Sequence, residues 1–157
     1  MVIFFSRESK PNLTIMKDKY YKFLKGLRLR HFTPGEIIAQ SERIRGGVTN
    51  SLPPEKLWPN IVPTLWVADQ LRRHLGYPLI ITSAYRSEEY NKKCGGAVRS
   101  QHKNNTALDL IPRVTPREAF NALKKLRDAG AFQGGLGLYT SFVHIDTRGR
   151  NATWEAS

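Results

Sequence analysis

"SFVHIDT", residues 141–147, alternates apolar and polar side chains with the two-residue period of a strand, and its reading decides how the rest of the chain assembles. Val143 and Ile145 fall on one face, His144 and Asp146 on the other. Such a strand belongs to a sheet that packs one side on a core and leaves the other polar and uncovered. "TALDLIP", at 106–112, repeats the arrangement, with Ala107 and Asp109 on one face and Leu108 and Leu110 on the other. If the two strands lie near one another, Asp109 approaches His144.

Working outward, "GGLGLY" before the first stretch reads as its hairpin partner across a tight turn. Thr115, Pro116 and Glu118 spell a capping box with proline at the first helical position, opening a helix that runs to Gly130 with Phe120, Leu123 and Leu126 inward. "YPLIITSAYR" has the composition of a buried strand, and "SEEYNKKCGG" that of a brief helix closed by two glycines. After the proline-rich "SLPPEKLWPN", Asn60 is placed to cap a helix carrying Ile61, Leu65, Ala68, Leu71 and Leu75 on one face, with Pro63 in its first turn and Gly76 as its stop. The order helix, strand, helix, strand, helix, hairpin predicts a single α+β domain. Its sheet is mainly antiparallel, with helices on one side and an open groove on the other.

Composition narrows the function classes. The chain has 157 residues and a formal net charge of +12, enough length for one core and a charge that suits a polyanionic partner. Nucleic acid, an acidic membrane surface and the anionic polymers of a bacterial wall all qualify; plain solubility is the other meaning. Cys94 is the only cysteine, which excludes an internal disulfide and a cysteine-rich zinc module and leaves a free, incidental thiol. The apolar run at 2–5 is too short for a secretory core or a membrane span, so the chain as written is expected to stay in the cytoplasm unless released or exported. Residues 1–31 hold eight Lys or Arg against Glu8 and Asp18, and Met16, Tyr20, Phe23, Leu24 and Leu27 recur at helical spacing among them. This predicts a basic amphipathic arm over 1–30 ahead of a domain over 31–157. It is either a surface-docking segment or a helix packed on that domain.

Two imidazoles and a carboxylate can converge if His102, in the polar turn "SQHKNN", folds toward Asp109 and His144. Three protein ligands with a fourth position left to water is the arrangement of hydrolytic zinc sites. Spacing alone also fits a solvated loop histidine and an ordinary carboxylate. His74, at a helix end, and His31, beside the arm, have no ligand spacing to anything. "FQGGLGLY" lacks the glycine spacing of a nucleotide loop and precedes a strand; its glycines suit close backbone approach.

"SAYRS", "SQHKNNTALD" and "FVHIDTRG", in that order, resemble the zinc D-Ala-D-Ala carboxypeptidase family, peptidoglycan peptidases that include phage endolysins. The family pattern Ser-x-His-x-x-Gly-x-Ala-x-Asp is met by Ser100, His102, Ala107 and Asp109, with Asn105 in the glycine's place, and "HFTPGE" at 31–36 is similar to the family's opening. Asparagine is the residue after glycine that best tolerates a left-handed backbone. The resemblance implies that His102, Asp109 and His144 bind one zinc ion and that Arg86 reaches toward a substrate carbonyl or carboxylate. Ser100 and Tyr139 complete the expected substrate contacts, a packed aromatic being the other reading of Tyr139. A brace for Glu88 or Glu89 is the other reading of Arg86.

Many relatives carry a carboxylate three residues before the last histidine, or a histidine two before it; here those positions are Ser141 and Phe142. Asp146 is the nearest titratable replacement, as general base or as a partner that orients His144. The expected function is a monomeric zinc peptidase acting on an amide bond of peptidoglycan stem peptides, as carboxypeptidase or endopeptidase, with anionic wall polymers holding the charge. The alternatives are a noncatalytic zinc-containing wall-binding or virion structural module, and nucleic-acid binding through 17–30, which lacks any recognisable reading motif.

Overall fold

A computed structural model describes residues 12–156. The apolar run at 2–5 and the start of the basic arm lie outside the described residues. Helix α1 (Leu13–Gly26) opens on Asn12, whose side chain accepts from the Thr14 backbone N–H at 2.8 Å. It turns Tyr20 and Leu24 into the core, and Tyr20 and Phe23 meet the Trp58 ring at 4.9 and 5.6 Å. Of the two meanings left open for this segment, packing on the domain is the one adopted, while its lysines stay in solvent.

The chain continues through α2 (Pro34–Ile38), capped by Thr33, and a small hairpin of β1 (Ile44–Arg45) and β2 (Val48–Thr49). A 3-10 segment, Glu55–Ile61, then leads into α3 (Val62–Leu75). Ile61, Leu65, Ala68 and Leu71 form its buried stripe, and Gly76 closes it at φ 70°. Asn60 does not cap α3: the 3-10 lead-in already carries the chain into helical conformation, and the Asn60 amide donates to the Asn104 carbonyl at 3.0 Å instead. That bond braces the turn carrying His102.

Five strands form the main sheet in the order β3 (Leu79–Ser83), β4 (Ala107–Pro112), β6 (Val143–Asp146), β5 (Gly135–Leu138), β7 (Ala152–Glu155). All neighbours are antiparallel except β5 and β7. α4 (Glu88–Lys93) follows β3, and α5 (Pro116–Asp128) starts on the expected capping box, with Thr115 Oγ1 accepting from Glu118 N–H and the Glu118 carboxylate accepting from Thr115 N–H. α3 and α5 cover one face, where Leu65, Leu71, Leu108, Leu110, Leu123 and Ile145 are almost wholly buried. The opposite face carries the polar positions of "SFVHIDT", His144 and Asp146, with Asp109 beside them, buried beneath the His102 turn at the floor of a cavity. The β1–β2 hairpin and β7 were not among the expected elements.

Candidate metal centre

Pairing between β4 and β6 sets Asp109 directly opposite His144. Cross-strand neighbours on one face stand about 5 Å apart at Cβ, so this register alone brings a carboxylate and an imidazole together. His102 arrives from another direction. Ser100 caps a single 3-10 turn, Gln101–Asn104, accepting from the His102 N–H, and Asn105 ends it in the left-handed conformation at φ 58°, as its place in the motif requires. The turn is tied to the strand before it, since Arg86 N–H donates to the His102 carbonyl and His102 Nδ1 lies 2.7 Å from the Ala84 carbonyl. A carbonyl oxygen only accepts, so Nδ1 carries the proton and Nε2 is left facing Asp109 at 3.2 Å.

His144 presents Nδ1 to Asp109 Oδ1 at 3.0 Å and Nε2 to Asp146 Oδ2 at 2.8 Å. One ligand atom from each of His102, Asp109 and His144 lies within 4.8 Å of the others, and all three residues are buried. That separation suits donors around a single ion at bond lengths near 2 Å. The donor chemistry fits as well: two ring nitrogens and a carboxylate oxygen face one another, and each ring's second nitrogen is held by an oxygen acceptor that fixes its tautomer and orientation.

Two carboxylates and two guanidiniums surround these rings. Arg86 sends Nη2 to Asp109 Oδ2 at 3.3 Å and Nε to Ser83 Oγ at 2.9 Å, while Glu88 pairs with Lys103 at 2.7 Å. The bracing role for Arg86 at Glu88 or Glu89 is therefore not the one it takes. Burial opposes charge on Asp109, but His102 and His144 outweigh it and hold the carboxyl well below the usual range. Burial likewise opposes the His144 cation, yet Asp109 and Asp146 push its pKa up.

Asp146 is fully buried behind the ring. Its Oδ1 accepts from the Gly135 and Arg148 backbone N–H groups and Arg148 Nε, and its Oδ2 from Arg148 Nη2 and His144 Nε2. Against desolvation, these bonds keep it ionised well below the usual carboxylate pKa, the Arg148 contact being the strongest of them. A cavity of about 430 Å³ opens over the cluster, walled by Arg86, Ser100, Tyr139, Phe142 and Trp154 among others. Apart from the candidate ligands His102, Asp109 and His144, no carboxylate or imidazole among the described residues lines it. Cys94 borders it as a free thiol. Tyr139 stacks on Phe142 at 4.3 Å and accepts from Trp154 Nε1–H at 3.0 Å, so it is both packed and at the groove.

The family model for Peptidase M15 matches residues 30–146, three quarters of the chain. The chain belongs to the peptidase M15 family. That span includes the "HFTPGE" opening and every residue of the His-Asp-His cluster, and membership in this zinc D-Ala-D-Ala carboxypeptidase-like family supports metallopeptidase activity. No curated protein matches the chain.

Sequence reasoning missed two residues at the centre, and both lie beyond the span that matches the M15 model. Trp154, on β7, approaches the His144 ring at 5.2 Å, and the Arg148 guanidinium lies 5.5 Å from the centre of its indole. A Cβ on Gly137 would sit 2.5 Å from Trp154 Nε1, which is why glycine stands there. The tryptophan's isolation in a short polar segment gave no strand signal. Apolar and polar residues do alternate in Ala152–Glu155, but four residues are too few to mark a strand.

Proposed function

We propose that this M15 protein is a zinc-dependent peptidase that hydrolyses an amide bond in peptidoglycan stem peptides, acting as a monomer at the cell wall. The observation that carries the reading is the convergence of His102 Nε2, Asp109 and His144 Nδ1 beneath an open cavity. Zinc bound by these three would polarise a substrate carbonyl and acidify water near neutral pH.

The chain's own residues supply the rest. Arg86, with its guanidinium already aimed at the cluster, holds the substrate oxygen on which negative charge develops. Ser100 keeps the His102 turn in shape and borders the cavity, where the Tyr139 hydroxyl offers a further hydrogen bond. Asp146 holds the proton on His144 Nε2 and leaves Nδ1 with its lone pair; sealed from the cavity and saturated by five donors, it serves as the orienting partner and not as the base. The +12 charge favours retention on the anionic wall.

One observation favours a second reading, a noncatalytic zinc-containing wall-binding or virion structural module: among the described residues the lining holds no carboxylate or imidazole, apart from the candidate ligands, to take a proton from water. Incubation of the purified protein with peptidoglycan, followed by mass spectrometry of newly freed termini, separates the two. Release that needs zinc and disappears in His102→Ala and His144→Ala supports the peptidase, and the termini show whether it is an endopeptidase or a carboxypeptidase. Zinc bound at one per chain with no release supports the module. Full activity in a chelated, zinc-free sample refutes both.

A further inference from the structure

Beyond Arg148 the groove does not end. A second cavity of about 470 Å³ shares Arg99, Ser100, Gln101 and Arg148 with the first and extends past them to Lys103 and Arg150. Among the described residues four cations border it and no carboxylate does. Two of the four are already matched, Arg148 by Asp146 and Lys103 by Glu88. Arg99 and Arg150 are exposed and have no carboxylate partner among the described residues. Lone surface arginines are ordinary, but two uncompensated guanidiniums in a concavity continuous with the candidate metal centre form a positive extension of that groove.

We infer that this extension is an anion subsite that binds a carboxylate carried by the same peptide whose amide crosses the metal centre, with Arg99 and Arg150 as its ligands. The inference rests on the peptidase reading for the identity of the occupant: a peptide lying in both cavities brings carboxylates, and guanidinium forks pair with these through two parallel hydrogen bonds. The subsite selects acidic stem peptides over those in which the same side chain is an amide. Placed beside the reacting bond, it also fixes which way the peptide runs through the groove.

The test uses the full chain treated with chelator, so that nothing is cut, and alanine-based hexapeptides blocked at both ends, with one glutamate or one glutamine walked through the positions. At one position the glutamate peptide should bind about tenfold more tightly than its glutamine twin by calorimetry, with the gap narrowing as salt rises. The paired substitution Arg99→Gln and Arg150→Gln should close the gap. Equal affinity at every position, no binding of either peptide, or a gap that survives the paired substitution each overturns the inference. The zinc-loaded digestion of peptidoglycan is read separately, so the subsite and the peptidase reading fail by different results.

Discussion

His144 stands between two carboxylates, and they ask different things of it. Asp109 lies on the side where a lone pair would meet an ion, while Asp146 holds the opposite N–H in place. Replacing Asp146 with asparagine keeps the shape but offers the ring an amide that need not accept, and it leaves Arg148 without its buried partner. We expect Asp146→Asn to lower zinc affinity by about ten- to a hundredfold in a competition titration against a chelator. Unchanged affinity would show that the contact orients nothing. Gly137→Ala drives a methyl into Trp154 and should cost about 1–3 kcal/mol in urea denaturation. Asp109 and His144 were legible in the sequence because a period of two assigns faces without any knowledge of neighbours, whereas His102, on a turn, was legible only through the family motif it belongs to. Trp154 was not, because what brings it to His144 is a parallel pairing of β7 with β5 that no local pattern announces; nor was Arg148, whose pairing with Asp146 gains its meaning only once that carboxylate is buried behind the ring.

Elements reveal the same division. α5 was readable to its cap because a capping box is a local contract between residues three apart. Asn60 misled because it lies inside the 3-10 segment Glu55–Ile61, so the chain is already helical where a cap would have to stand. α1 was readable as a basic amphipathic helix, but its destination was not, since lysines between apolar residues suit a packed helix and a free one alike. Leu24, almost fully buried, supplies the test: Leu24→Ala should cost about 2–5 kcal/mol by chemical denaturation, against nearly nothing for an undocked arm.

Tyr20 adds a pH signature to this helix. Burial pushes its phenol above the ordinary 10.0, against a weaker pull from Asn105, so the unfolded chain gives up that proton first. The stabilising contribution is whole below pH 10 and drains away as pH climbs toward the folded value. A wild-type stability that declines above pH 10 more steeply than that of Tyr20→Phe checks the sign.

At the scale of the whole molecule, charge decides how the protein meets its surroundings. Part of the basic surface belongs to the α1 lysines and part to the arginines flanking the second cavity. Adsorption to isolated walls should therefore weaken markedly between about 0.05 and 0.5 M salt, as screening shortens the reach of exposed charges. Adsorption indifferent to salt would remove charge from the account of wall retention. The fold class, a mainly antiparallel sheet with helices on one side and a groove on the other, was legible because helices alternating with faced strands leave few arrangements, but the order of the strands was not. The small β1–β2 hairpin was not, its strands being only two residues each.

The opposition of Asp109 and His144 across β4 and β6 joins positions 35 apart in the chain. An ion gripped between them would act as a rivet through the middle of the sheet, and a slip of one residue would turn one of its holes away. Melting would then have to eject the rivet, so the midpoint temperature should climb with the logarithm of free zinc above the dissociation constant. A calorimeter could thus follow the occupancy of this protein without any substrate in the cell.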